Sequence, residues 1–133
     1  MSKVGREVAG QVGTAARDLG GTRALVVGDA TMERAGYVDA VERALAGAGI
    51  ASARYAGVNT EPTDAHCEEG LAVLRESGAD VVVAVGGGSP IDTAKAVAAL
   101  ATNPGAIADF RGTDKIARPR LPLVAIPTTA GTG

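Results

Sequence analysis

Aromatic side chains are nearly missing from this 133-residue chain, which has one Phe, two Tyr and no Trp. An interior built on stacked rings is excluded. The core has to be assembled from Ala, Val, Leu and Ile, which supply most of the 46% hydrophobic content. Cysteine and histidine are scarcer still, with one of each. A single thiol rules out an internal disulfide and any multi-thiolate metal site. No apolar run approaches the length of a membrane span, and the first residues lack the apolar stretch of a signal peptide. A cytoplasmic protein with no membrane contact is the expectation. The formal charge is only −2, and the basic residues are scattered, without a stripe or an RNA-type aromatic pair. Nucleic acid is therefore not an expected partner.

What the chain has in plenty is glycine, 19 in all. They follow no fixed period and cluster where turns or close backbone approach are needed. A length of 133 residues suits one domain with one core. Helical spacing of Val4, Val8, Val12, Ala15, Ala16 and Leu19 predicts a first helix ended by Gly20-Gly21. Short apolar runs predict strands at 23–28, 50–55, 80–85 and 123–126, the third (DVVVAV) being unbroken and so central. Helices are expected over Ala35 to Gly47, from Thr63-Asp64 to about Ser77, and from Ser89 to about Ala101. The alternation of helix and strand calls for a parallel sheet covered by helices on both faces, with right-handed crossovers.

In such a sheet ligands bind beyond the carboxyl ends of the strands. The run Gly86-Gly87-Gly88-Ser89 lies at such an end. It allows a sharp turn and leaves no Cβ between backbone N–H groups and a ligand, and the N-terminus of the next helix favours a phosphate. Ser89 as N-cap, Pro90 at the first helical position and Asp92 three residues after the cap would form a capping box. One glycine would suffice to join two elements, so three favour phosphate binding. Ile91 replaces the last glycine of G-x-G-x-x-G, and no Gly-Lys-Ser/Thr of a P-loop follows. Asp29, after the first strand, has two readings of equal weight. It accepts hydrogen bonds from a ribose, or it caps the next helix. The segment from Ile126 to Gly133 holds Thr128, Thr129 and Thr132. Their hydroxyls can donate to phosphate or ribose oxygens, although alone the segment reads as an ordinary Thr/Gly loop.

Together, GGGSPIDTAKA at 86–96, ATNPG at 101–105, LPLVAIPTTAGTG at 121–133, LVVGD at 25–29 and GVNTEPT at 57–63 resemble the N-terminal half of the iron-containing (group III) alcohol dehydrogenases. Glycerol dehydrogenases and dehydroquinate synthases share that architecture at greater distance. The resemblance implies a Rossmann-like α/β domain over 1–133 that binds a dinucleotide. It also implies an NAD-dependent oxidoreductase interconverting small alcohols and aldehydes or ketones, with NADP less favoured. By family pattern Asp29 selects NAD through the adenine ribose, and Gly86, Gly87, Gly88 and Ser89 hold the diphosphate. Thr128 and Thr129 contact the cofactor, and Asp92, Lys95 and Thr132 lie near its nicotinamide end. Glu61-Pro62 departs from the family's usual Asn-Pro.

The family binds Fe²⁺ or Zn²⁺ through an Asp and three His of a second, helical domain. His66, beside Cys67, cannot replace them, and both read as ordinary residues of the 64–77 helix. Lys115, Arg118 and Arg120 read as a solvated loop rather than phosphate ligands. The expectation is thus the cofactor half of such an enzyme, truncated or split, which binds NAD weakly and turns over no alcohol. A stand-alone nucleotide-binding module and an inactive remnant remain as alternatives. Homo-oligomer formation through edges left by truncation stays open.

Overall fold

The computed structural model of the chain describes residues 3–58, 64–103 and 118–127. Its elements run α1 (Lys3–Asp18), β1 (Arg23–Asp29), α2 (Ala30–Arg34), α3 (Tyr37–Gly47), β2 (Ala51–Val58), α4 (Asp64–Ser77), β3 (Val81–Gly86), α5 (Gly88–Thr102) and β4 (Leu123–Pro127). The four strands are parallel and ordered β2-β1-β3-β4.

Strands of a sheet covered on both faces read as continuous apolar runs, and the burial shows why. Every residue of β3 is buried, and Val81 to Val85 are fully inaccessible. Successive side chains point to opposite faces. Val81, Val83 and Val85 join Ala24 and Val26 under α1, α2 and α3, with Val12, Ala16, Met32, Val38, Val41 and Leu45. Val82 and Ala84 join Leu25 and Val27 under α4 and α5, with Leu71, Leu74, Ala94, Val97 and Leu100. Burying each valine or leucine side chain contributes about 1.5–3 kcal/mol, and Tyr37 of α3 is the one aromatic buried with them among the described residues. Small residues let α1 and α3 come close: a Cβ on Gly13 would stand 2.5 Å from the carbonyl oxygen of Ala44. The edge strand β2 is fastened by Arg54, which reaches Glu33 of α2 at 3.1 Å and Asp39 of α3 at 2.7 Å, as well as Glu42.

Three boundaries differ from the sequence reading. The helix expected over 35–47 is α3, which starts at Tyr37; a short helix that was not expected, α2, precedes it, and Gly36, at φ +89°, turns the chain from one into the other. Positive φ is the reason for a glycine there. The second strand extends to Val58. The capping box at Ser89 does not form. The helix α5 begins at Gly88 with Gly87, which has no side chain, as its N-cap in place of Ser89, and its first turn holds no acidic residue. Gly86, at φ +132°, already makes the turn out of β3, so helical geometry starts before the serine. Thr63, the other expected cap, lies outside the described residues.

Candidate functional site

The strand order turns on β1 and β3. From β1 the chain goes outward to β2, then returns across β1 to place β3 and β4 on its other side. Such a reversal opens a crevice at the carboxyl ends of the two central strands. The register pairs Val27 with Ala84, so Asp29 and Gly86 end their strands at one level.

Local packing draws these two ends together. A Cβ on Gly28 would press on Val38 Cγ2 at 3.3 Å and touch the carbonyl oxygen of Val85 at 3.5 Å, an ordinary contact distance. Asp29 is extended, and its Oδ1 accepts a hydrogen bond from the Met32 N–H at 2.8 Å. It therefore caps α2, one of its two sequence readings, and its Oδ2 takes no part in that bond. Met32 is buried, and its Cγ lies 3.3 Å from where a Cβ on Gly86 would stand. Pro90 Cγ lies 3.0 Å from the same point. The turn after β1 and the turn after β3 thus share a wall.

The three glycines differ. Gly86 is required by its backbone angle and its crowded surroundings. Gly87 and Gly88 are exposed, have no positive φ, and would set a Cβ in space where no described atom lies within 4 Å. Neither conformation nor packing among the described residues asks for glycine there. What their glycines supply is bare backbone facing outward at the N-terminus of a 15-residue helix. That terminus carries a partial positive charge and N–H groups without intrahelical acceptors. The third residue of α5 is Pro90, which has no N–H to satisfy. Asp92 and Lys95, three residues apart, are exposed along one side of α5.

Thr128, Thr129 and Thr132, together with Glu61, Pro62 and Lys115, lie outside the described residues. Pro127, immediately before the threonines, pairs with Gly86. Arg118 and Arg120 are exposed. His66 and Cys67 are buried side by side on α4. Burial, with the carboxylates of Asp64 and Glu68 behind it, raises the Cys67 thiol pKa above its usual value. Among the described residues no three His, Cys, Asp or Glu side chains gather where they could hold a metal ion. Sequence reasoning missed Gly28 and Met32 as the link between the two turns. Only the Gly-Asp pair at a strand end hinted at it.

A four-stranded parallel sheet in this order, with helices on both faces and a glycine turn at the switch point, defines a Rossmann-like α/β architecture. The sequence profile of the iron-containing alcohol dehydrogenases matches residues 2–133, and the chain belongs to that family. It is 38% identical over 132 residues to the NAD-dependent methanol dehydrogenase of Bacillus methanolicus, covering 99% of this chain and 35% of that protein. It is 41% identical to lactaldehyde reductase of Escherichia coli K12, covering 96% of this chain and 34% of the relative. The crystal structure of a 1,3-propanediol oxidoreductase superimposes with a TM-score of 0.87 at 40% identity, over 93% of this chain and 32% of that one. The sulfoacetaldehyde reductase of Bifidobacterium kashiwanohense, solved in complex with NAD⁺, gives 0.79 at 29% identity over 93% of this chain and 33% of that one. The chain spans about a third of the length of these relatives. No described helix is long and apolar enough to cross a membrane.

Proposed function

We propose that the crevice between the ends of β1 and β3 holds NAD, and that this chain is the cofactor-binding part of an alcohol dehydrogenase. The observation that carries the reading is that Asp29 ends β1 level with Gly86, where the exposed glycines Gly87 and Gly88 open α5. The diphosphate rests on Gly86, Gly87, Gly88 and Ser89 at the start of α5, where helix dipole and N–H groups favour negative charge. Asp29 accepts from the adenine ribose and disfavours a 2′-phosphate, so NAD is preferred to NADP. Asp92, Lys95, Thr128, Thr129 and Thr132 serve the remainder of the dinucleotide. Bound NAD supplies the hydride acceptor for oxidation of a small alcohol, or as NADH the donor for reduction of an aldehyde or ketone. The described residues offer no ligand set for the family's metal, Fe²⁺ or Zn²⁺. The chain's share of the work is to bind and orient the cofactor, so it is expected to bind NADH without oxidising alcohols.

The test is titration with NADH and NADPH, followed by cofactor fluorescence, on the parent chain and on Asp29→Asn and Asp29→Ala. Asparagine keeps the acceptor for the Met32 N–H, so D29N should fold with nearly parental stability and lose discrimination against NADPH. D29A should also lose about 1 kcal/mol of helix-cap stability. Equal discrimination in the parent and D29N would remove Asp29 from the site. Absence of NADH binding by a folded parent chain would overturn the reading as a whole.

A further inference from the structure

The segment ATNPG marks the end of α5, about 22 Å from the glycine turn at 1.5 Å of rise per residue. Its Asn103 is buried and, at φ −127° and ψ 87°, leaves helical geometry and ends the helix. Both ends of its side-chain amide are in use. The two hydrogens on Nδ2 are shared among three acceptors, the Ala99 carbonyl at 3.0 Å, the Arg118 carbonyl at 2.9 Å and Thr102 Oγ1 at 3.0 Å. Oδ1 accepts from the Arg118 N–H at 2.8 Å. The amide thus pairs with both backbone groups of Arg118, as a neighbouring strand would. Thr102 Oγ1 extends the clasp by donating to the Pro119 carbonyl at 2.8 Å. The Leu121 N–H then donates to Ala98 O, and Pro122 O accepts from the Val82 N–H. One residue later β4 begins, with Leu123 beside Val82 and Pro127 beside Gly86.

Left to itself β4 specifies its register weakly. It has five residues, of which only Ile126 is buried, and it ends on a proline that cannot donate to the ladder. A slip of one residue would shift its end by about 3.3 Å and turn its side chains to the opposite face. We propose that Asn103 is a positioning residue that clamps the lead-in to β4, fixes the β3–β4 register, and so brings residue 127 level with the glycine turn. Its consequence for cofactor binding rests on the proposed NAD site, because residues 128–133 continue directly from that point.

The clamp reads backbone, not side chain, at position 118. Asn103→Ala and Arg118→Ala therefore make opposite predictions, although they sit at two ends of one contact. The register is read by NMR from methyl contacts between Val83 and Val124 and between Val85 and Ile126, with Val26–Val83 as a β1–β3 control. In N103A the β3–β4 contacts should weaken or change partners while the control persists, and NADH affinity should fall about tenfold. R118A should leave both unchanged. Should N103A not fold, Thr102→Val removes the two bonds that the hydroxyl makes in the clasp and should shift the same contacts and affinity partway, with Thr102→Ser restoring them. Unaltered β3–β4 contacts in N103A, or in T102V when it is the variant that folds, would overturn the clamp. Altered contacts with parental NADH affinity would overturn its role in cofactor binding. If the parent chain does not bind NADH, the NAD reading fails and the methyl contacts still decide the clamp.

Discussion

Gly86 leaves β3 at φ +132°, a region that L side chains adopt only under strain, and a Cβ there would press on Pro90 and Met32. Gly88 has ordinary helical surroundings and open space where its Cβ would stand. Alanine at the two positions should therefore act in opposite ways. Gly86→Ala should destabilise the fold by about 1–3 kcal/mol through backbone strain. Gly88→Ala should leave stability unchanged or raise it by about 0.5–1 kcal/mol, since alanine suits a helix better than glycine. The same methyl group would stand where the proposed diphosphate approaches, so G88A should weaken NADH binding about tenfold or more. Urea unfolding and NADH titration on each variant separate the two roles. Parental NADH affinity in G88A would mean that this glycine does not face the cofactor.

At the level of elements, the strands were the most legible part of the sequence because both faces of the sheet are covered. Burial on two sides leaves no polar alternation to interpret, only runs such as Val81 to Val85. The start of α5 was less legible. Ser-Pro-x-Asp fits a capping box, yet Gly86 turns the chain early enough for the helix to begin at Gly88. The short helix α2 was missed because it depends on the Asp29 cap, the left-handed Gly36 after it and the buried seat of Met32, none of which has a period. Asp29 was legible only as a choice between a cap and a ribose ligand, since one carboxylate oxygen can serve each. Within α5 one side chain runs against good packing. Thr93 is fully buried and its Oγ1 has no hydrogen-bond partner among the described residues. An unsatisfied buried hydroxyl costs about 1–3 kcal/mol, and valine has nearly the same shape. Thr93→Val is expected to raise the urea midpoint at constant m-value, by about 1 kcal/mol of stability. A lower midpoint would show that the hydroxyl is engaged after all.

Across the whole molecule the two ends of the sheet are built for different tasks. The carboxyl end keeps backbone exposed at Gly87 and Gly88, whereas at the amino end the starts of β1 and β3 are stitched together around Asp80. Asp80 Oδ1 accepts from the Thr22 N–H at 2.9 Å and the Arg23 N–H at 3.0 Å, and Oδ2 accepts from the Thr22 hydroxyl at 2.6 Å. The Asp80 N–H donates in turn to the Arg23 carbonyl at 2.9 Å. These bonds join the start of β1 to the approach to β3. Partial burial pushes the Asp80 carboxyl pKa up, but the hydrogen bonds from Thr22 and Arg23 outweigh it and hold it below the usual aspartate value. A carboxyl depressed in the folded state adds stability that is complete above its unfolded pKa, about 3.9, and is lost as pH falls through the lower folded value. Asp80→Asn removes that charge at every pH while keeping one acceptor oxygen. At pH 7 the variant should be less stable than the parent by about 1 kcal/mol, a modest figure because the group is largely solvated. Below about pH 4 the difference should shrink, since the parent's carboxylate is then being protonated. Urea midpoints of both proteins measured from pH 7 down to about pH 3 test this. A gap that stays constant across the range would mean that the stitch works through hydrogen-bond geometry alone and owes nothing to the carboxylate charge.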